Sequence, residues 1–212
     1  MIGFNVEKIR EDFPVLQKNI IYFDSACMSL KPKQVVEKMN EYYYEYSACG
    51  GRSSHKLSQR VVLEVDKSRN EVRKMINAKE SSEIIFTRNA TEGINLVSSS
   101  LGLKAGDEVI ISDKEHNSNL IPWLKLKKIG VQVVACKSNK DNTFNLENFK
   151  KAFTKNTKLV AIAHVSNLDG IENQIKEICK IAHKNNSLVL VDGAQSFPHM
   201  EIDVRNLDAD FF

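Results

Sequence analysis

Short runs rich in Val and Ile alternate with helical stretches from Glu83 onward, and this rhythm predicts an α/β fold: a mostly parallel sheet with helices on both faces. Two further features agree. Runs such as Leu159 to Ala163 and Leu188 to Val191 are strand-sized and almost wholly apolar, as strands covered on both faces must be. Polar residues then gather directly after those runs, where open α/β sheets bind their ligands.

Composition narrows the class further. The chain has 212 residues, 42% of them hydrophobic and 27% charged, with only 9 Gly and 4 Pro, which excludes a disordered or collagen-like chain. A net charge of +3 is too even for a nucleic-acid footprint. Residues Met1 to Phe13 include Glu7, Lys8, Arg10, Glu11 and Asp12 and so offer no apolar stretch for a secretion signal, and export is not expected. No apolar run approaches the roughly 20 residues that span a bilayer. The four cysteines, Cys27, Cys49, Cys136 and Cys179, form no C-x-x-C pair, so neither a zinc site nor a disulfide framework is expected. Together these features predict a cytoplasmic protein without nucleic-acid or membrane partners.

The elements follow in order. Residues 1–20 are expected to form an amino-terminal helical segment, and 21–212 the main domain. Over 32–48, Val35, Val36, Met39, Tyr42, Tyr43 and Tyr46 share one helical face; over 58–77, Val61, Val65, Val72, Met75 and Ile76 do the same. Strands are expected at 83–87, 107–112, 131–136, 157–163 and 187–191, with helices at 91–101, 120–129, 145–154 and 173–186.

Four of the expected strands end in unusually polar turns: Arg88-Asn89-Ala90-Thr91-Glu92-Gly93, Glu115-His116-Asn117-Ser118-Asn119, His164-Val165-Ser166-Asn167-Leu168-Asp169-Gly170 and Asp192-Gly193-Ala194-Gln195. These ends are expected to converge on one cleft. Free N–H groups at Ala90, Thr91 and Glu92, with the Thr91 hydroxyl, suit a phosphate; Thr91 equally suits a helix cap. Asp192 follows a buried strand, so its carboxylate needs a cationic or hydrogen-bonding partner such as a protonated ring nitrogen, or else it closes a turn. Asn167 and Gln195 can hydrogen-bond a phenolic oxygen, and His116 offers a face for stacking. His55 suits carboxylate binding or proton transfer, or is simply an exposed loop residue. His183 and His199 read as structural, and Cys27 and Cys49 as inert thiols.

In this order the segments resemble the pyridoxal-phosphate enzymes of the class V aminotransferase family, most closely the SufS-like cysteine desulfurases. The resemblance begins at Ile21-Tyr22-Phe23-Asp24-Ser25-Ala26. It continues through 52–55, 87–97, 115–123, 164–170 and 191–195 to Asp210-Phe211-Phe212. It implies the large domain of a fold type I pyridoxal-phosphate enzyme, incomplete at its carboxy-terminal end, with the small domain absent. It also implies that Thr91 binds the cofactor phosphate beside Ala90, that His116 stacks on the pyridine ring and that Asp192 pairs with its nitrogen. Asn167 and Gln195 would hold the ring's phenolic oxygen, and His55 would lie near the substrate.

The departures from that pattern are specific. Ala90 stands where the SufS-like branch often has a second threonine, Asn117 stands in place of a second histidine, and Gly51 and Ser53 alter the loop around Arg52. The family's Schiff-base lysine and sulfur-accepting cysteine have no counterpart among these residues. The resemblance therefore implies the amino-terminal part of a cysteine desulfurase, inactive alone, in sulfur mobilisation such as iron–sulfur assembly. Its partner would be a complementary carboxy-terminal half or a full-length homologue in a homo- or hetero-oligomer, with a sulfur-acceptor protein downstream. The alternatives are a non-catalytic homologue serving as a binding or assembly partner, or another class V enzyme such as an aminotransferase or kynureninase-like lyase.

Overall fold

The structure, a computed structural model, describes residues 5–212, and the first four residues of the expected 1–20 segment lie outside it. The chain divides into two compact units, Met1–Arg69 and Asn70–Phe212.

In the first unit, Asn5 caps helix α1 (Val6–Arg10) by accepting the Lys8 N–H, and Pro14–Lys18 forms a 3₁₀ turn. Helix α2 spans Lys33–Glu45, and α3 (Lys56–Met75) begins in this unit and ends in the second. Both form where the apolar period predicts. Yet α2 buries none of its residues, and Val35, Val36, Met39 and Tyr43 stay exposed. Tyr46, directly after α2, is buried at 3% exposed, with the Arg60 guanidinium 4.0 Å from its ring centroid. Arg60 in turn binds Glu41 and Glu45 at 2.7 and 3.0 Å.

The second unit is a layered sheet. Strands β1 (Glu108–Ser112), β2 (Gln132–Cys136), β3 (Thr157–Ala163) and β4 (Leu188–Asp192) lie in the order β2-β1-β3-β4, all parallel. Between them run α4 (Ala90–Ser100), α5 (Asn117–Leu126), α6 (Leu146–Ala152) and α7 (Ile175–Lys184), and α8 (Val204–Leu207) follows β4. Strand alternation sorts the side chains into two cores. Ile110, Val160, Ile162, Val189 and Val191 pack with Phe149 of α6 and Ile178 and Ala182 of α7. Val109, Ile111, Leu159, Ala161 and Leu190 face the other way, against Ile94 of α4 and Trp123 of α5. Helices thus cover both faces, as the sequence predicts.

One expected strand does not form. Residues 81–83 make a 3₁₀ turn and 84–87 run on outside the sheet, with Ile85 and Phe86 70% and 51% exposed. An apolar run becomes a strand only where a neighbour pairs with it and a second layer covers it, and here the sheet ends at β4. Beyond β4, among the described residues, only Phe211 adds to the sheet, in a parallel bridge with Leu190. Of the four polar turns, therefore, three follow strands and one opens α4 from a loop.

Candidate functional site

Asn89, not Thr91, caps α4. Its side chain accepts the Glu92 N–H at 3.0 Å, and its carbonyl takes those of Glu92 and Gly93. This corrects the expected donor set, because the Glu92 N–H is spent inside the cap. The Ala90 and Thr91 N–H groups find no acceptor among the described residues, and they sit at the positive end of an 11-residue helix. The Glu92 carboxylate turns back to the Arg88 N–H at 2.6 Å and to its guanidinium at 3.1 Å. Those bonds to Arg88 hold the Glu92 carboxyl below its ordinary range.

A second helix begins beside the first. His116 is the N-cap of α5, its Nδ1 accepting the Ser118 N–H at 3.2 Å, and its ring is exposed. The Ser118 hydroxyl lies 2.7 Å from that of Thr91, so the turn carrying His116 is tied to the start of α4. Just before His116, Glu115 accepts from the Ser112 hydroxyl, the Asn119 amide at 2.7 Å and the Ala163 N–H at 3.0 Å. Asn119, fully buried, also accepts from the Trp123 indole at 3.2 Å. Burial pushes the Glu115 carboxyl up to about 7 against these bonds, and the charge of Asp192 adds to the rise. Sequence reasoning passed over both Glu115 and Ser118. The available signal was their place on either side of His116 at the mouth of a helix.

Asp192 is the last residue of β4, in register with Ala163 at the tip of β3. It is 8% exposed, accepts the Ala194 N–H at 3.0 Å through Oδ1, and takes the His164 N–H on its carbonyl at 2.9 Å. Two residues beyond Leu190, it shares that residue's face, the side of α4 and α5. There a cleft of about 280 Å³ is lined by Thr87, Ala90, Gly93, Asp192, Gly193 and Phe212, among others. A Cβ on Gly193 would stand 2.3 Å from the Phe212 ring, so the ring would have to move aside. The donor set at the start of α4, the flat imidazole and the buried acid fit, respectively, a phosphate, an aromatic ring and a protonated ring nitrogen.

The family model described as "Aminotransferase class-V" matches residues 21–212. The chain belongs to that family. It is similar to a probable cysteine desulfurase of Halalkalibacterium halodurans, 42% identical over 98% of this chain and 53% of that protein. A cysteine desulfurase of Shigella sonnei is 40% identical over 99% of this chain and 54% of its own length. Among solved structures, the apo cysteine desulfurase of Thermococcus onnurineus NA1 superposes with a TM-score of 0.91 at 39% identity, over 99% of this chain and 53% of that one. An Escherichia coli cysteine desulfurase gives 0.87 at 33%, over 98% and 53%. The chain thus spans about half the length of the curated relatives it matches.

Within this class-V unit, Ala90 and Asp192 line one cleft, and Thr91 and His116 are linked through Ser118. Asn167 stands exposed on the turn after β3, and Gln195 half-buried on the turn after β4. His55 belongs to the first unit, where its Nδ1 accepts the Ser58 N–H at 3.3 Å at the start of α3. His164, buried directly after β3, has no partner for Nδ1 among the described residues, and burial lowers its pKa.

His183 stands between two carboxylates. Its Nδ1 lies 3.2 Å from Asp208 and its Nε2 3.0 Å from Asp210. The sequence hid this because those partners stand 25 and 27 residues away. Cys27 and Cys49 are free and exposed; Cys136 and Cys179 are free and buried. Among the described residues, no helix is long and apolar enough to cross a membrane.

Proposed function

We propose that these residues form the amino-terminal, cofactor-holding part of a pyridoxal-phosphate-dependent cysteine desulfurase, which converts cysteine to alanine and leaves the sulfur as a persulfide on an enzyme thiol. One observation carries the reading: Ala90, whose N–H is unspent beside that of Thr91 at the start of α4, lines the cleft that also holds the buried Asp192. The half-length match to desulfurases from several organisms supports it.

In this reading the Ala90 and Thr91 N–H groups and the Thr91 hydroxyl bind the phosphate. The His116 imidazole covers one ring face, and Asp192 keeps a proton on the ring nitrogen. Asn167 and Gln195 bind the phenolic oxygen. When bound, the cofactor supplies an electron sink for charge at the substrate α-carbon. The Schiff-base lysine and the sulfur-accepting cysteine belong to the half of a desulfurase that these residues do not span, and a sulfur-acceptor protein takes the product. The assembly works in the cytoplasm and contributes sulfur to processes such as iron–sulfur assembly.

The test mixes this chain with the carboxy-terminal half of a related desulfurase and pyridoxal phosphate, then follows cysteine-dependent sulfide. Sulfide from the mixture, and from neither component alone, is the expected result. Its absence from a folded, associated mixture overturns the desulfurase reading.

A further inference from the structure

The hydroxyl groups of Thr91 and Ser118 meet across two helix starts, and their hydrogens do not balance within the chain. Each carries one hydrogen, and a single bond of 2.7 Å between them consumes one of the two. Neither side-chain oxygen has another partner among the described residues, so the second hydrogen is left for an acceptor the chain does not supply. The Ala90 and Thr91 N–H groups are unspent at the same place. Ala90 itself brings only a methyl group. Three unspent hydrogens therefore meet at this turn, two on the Ala90 and Thr91 backbone nitrogens and one shared between the Thr91 and Ser118 hydroxyls.

Ser118 also fixes the neighbouring ring. Its N–H donates to His116 Nδ1, so one residue sets both the imidazole and the second hydroxyl. Helices α4 and α5 are 11 and 10 residues long, and each directs its positive end to this turn.

We propose that Ser118 is a phosphate ligand of the cofactor, its hydroxyl and that of Thr91 giving up their mutual bond to donate together to one phosphate group. This rests on the functional reading above. It adds a ligand from a second helix, which makes the phosphate site a two-helix device.

The experiment uses pyridoxamine 5′-phosphate and pyridoxamine, which lack an aldehyde and so cannot condense with the chain's lysines. Calorimetric titration of the full chain should show the phosphorylated probe binding more tightly. Ser118→Ala should weaken that probe about tenfold and leave pyridoxamine unchanged, as expected for losing a hydrogen bond to a charged group. Ser118→Thr should retain the affinity, and Ala90→Thr, which restores a hydroxyl on the α4 side, should recover part of what Ser118→Ala loses.

Equal affinity of Ser118→Ala and the parent for the phosphorylated probe overturns the proposal. So does an equal loss for both probes, which would mean that Ser118 acts only by holding His116. If Thr91→Ala weakens the phosphorylated probe while Ser118→Ala does not, the proposal fails and the functional reading stands. If the parent shows no preference for the phosphorylated probe, the phosphate assignment itself falls, and Ser118 with it.

Discussion

Glu115 holds Ala163 through both of its carboxyl oxygens, which accept the Ala163 N–H at 3.0 and 3.2 Å. That contact ties the turn after β1 to the tip of β3, where Ala163 stands in register with Asp192. A single part-buried acid thus fixes the spacing between the His116 turn and the strand that carries Asp192.

Glu115→Ala removes the acceptor for Ser112, Asn119 and Ala163 together, and should cost about 1–3 kcal/mol in urea unfolding. The pH dependence follows from the raised carboxyl, at about 7 against an ordinary 4.5. Between those values the folded chain keeps a proton that the unfolded chain has lost, so stability falls as pH rises through this window. Glu115→Gln cannot ionise and should flatten that decline. Unfolding midpoints at about pH 5 and about pH 8 for parent and variant check it.

His183 behaves with a different partner set. The Asp210 and Asp208 carboxylates raise its pKa, Asp210 contributing most. The folded chain therefore gains from this pairing below the ordinary histidine pKa and loses the gain as pH rises through the raised value. Asp210 also accepts the Val189 N–H at 2.7 Å, and the Phe211 carbonyl accepts the Val191 N–H at 2.8 Å. His183→Gln should speed hydrogen exchange at Val191 under mildly acidic conditions and leave it near the parent's rate under alkaline ones.

Gly130 ends the turn between α5 and β2 at φ 91°, and a Cβ there would stand 2.8 Å from the Ala105 side chain and 3.1 Å from its backbone. Backbone cannot swing aside as a flexible side-chain end can. Gly130→Ala should destabilise the second unit by about 1–2 kcal/mol, measured by denaturant unfolding, with the urea slope unchanged.

Asp192→Asn keeps an oxygen to accept the Ala194 N–H and removes only the charge. In a complemented assembly it should lower cysteine-dependent sulfide release by about ten- to a hundredfold. The fold should be retained, as circular dichroism would record.

Much of this molecule is legible in local pattern. The strand expected at 157–163 is observed at Thr157–Ala163, because a continuous apolar run between turn residues has few other ways to hide, and that expected at 131–136 is observed at Gln132–Cys136. The same signal failed at 83–87, since a run of Ile and Phe specifies appetite for a partner and not its presence. The places of Ala90, Thr91, His116 and Asp192 at the ends of elements were readable, because turn chemistry is local. Ser118 and Glu115 were not, because their meaning lies in contacts with residues 27 and 48 positions distant.

The sequence by itself determined the alternation of strands and helices, the four polar turns and the chemical types placed in them, all properties of neighbours along the chain. Tertiary structure decided which hydrogen atoms were left over. Whether an N–H or hydroxyl is spent depends on what folds against it, so only packing could show the Glu92 amide consumed by Asn89, the Ala90 and Thr91 amides left open, and His183 clasped by two distant aspartates.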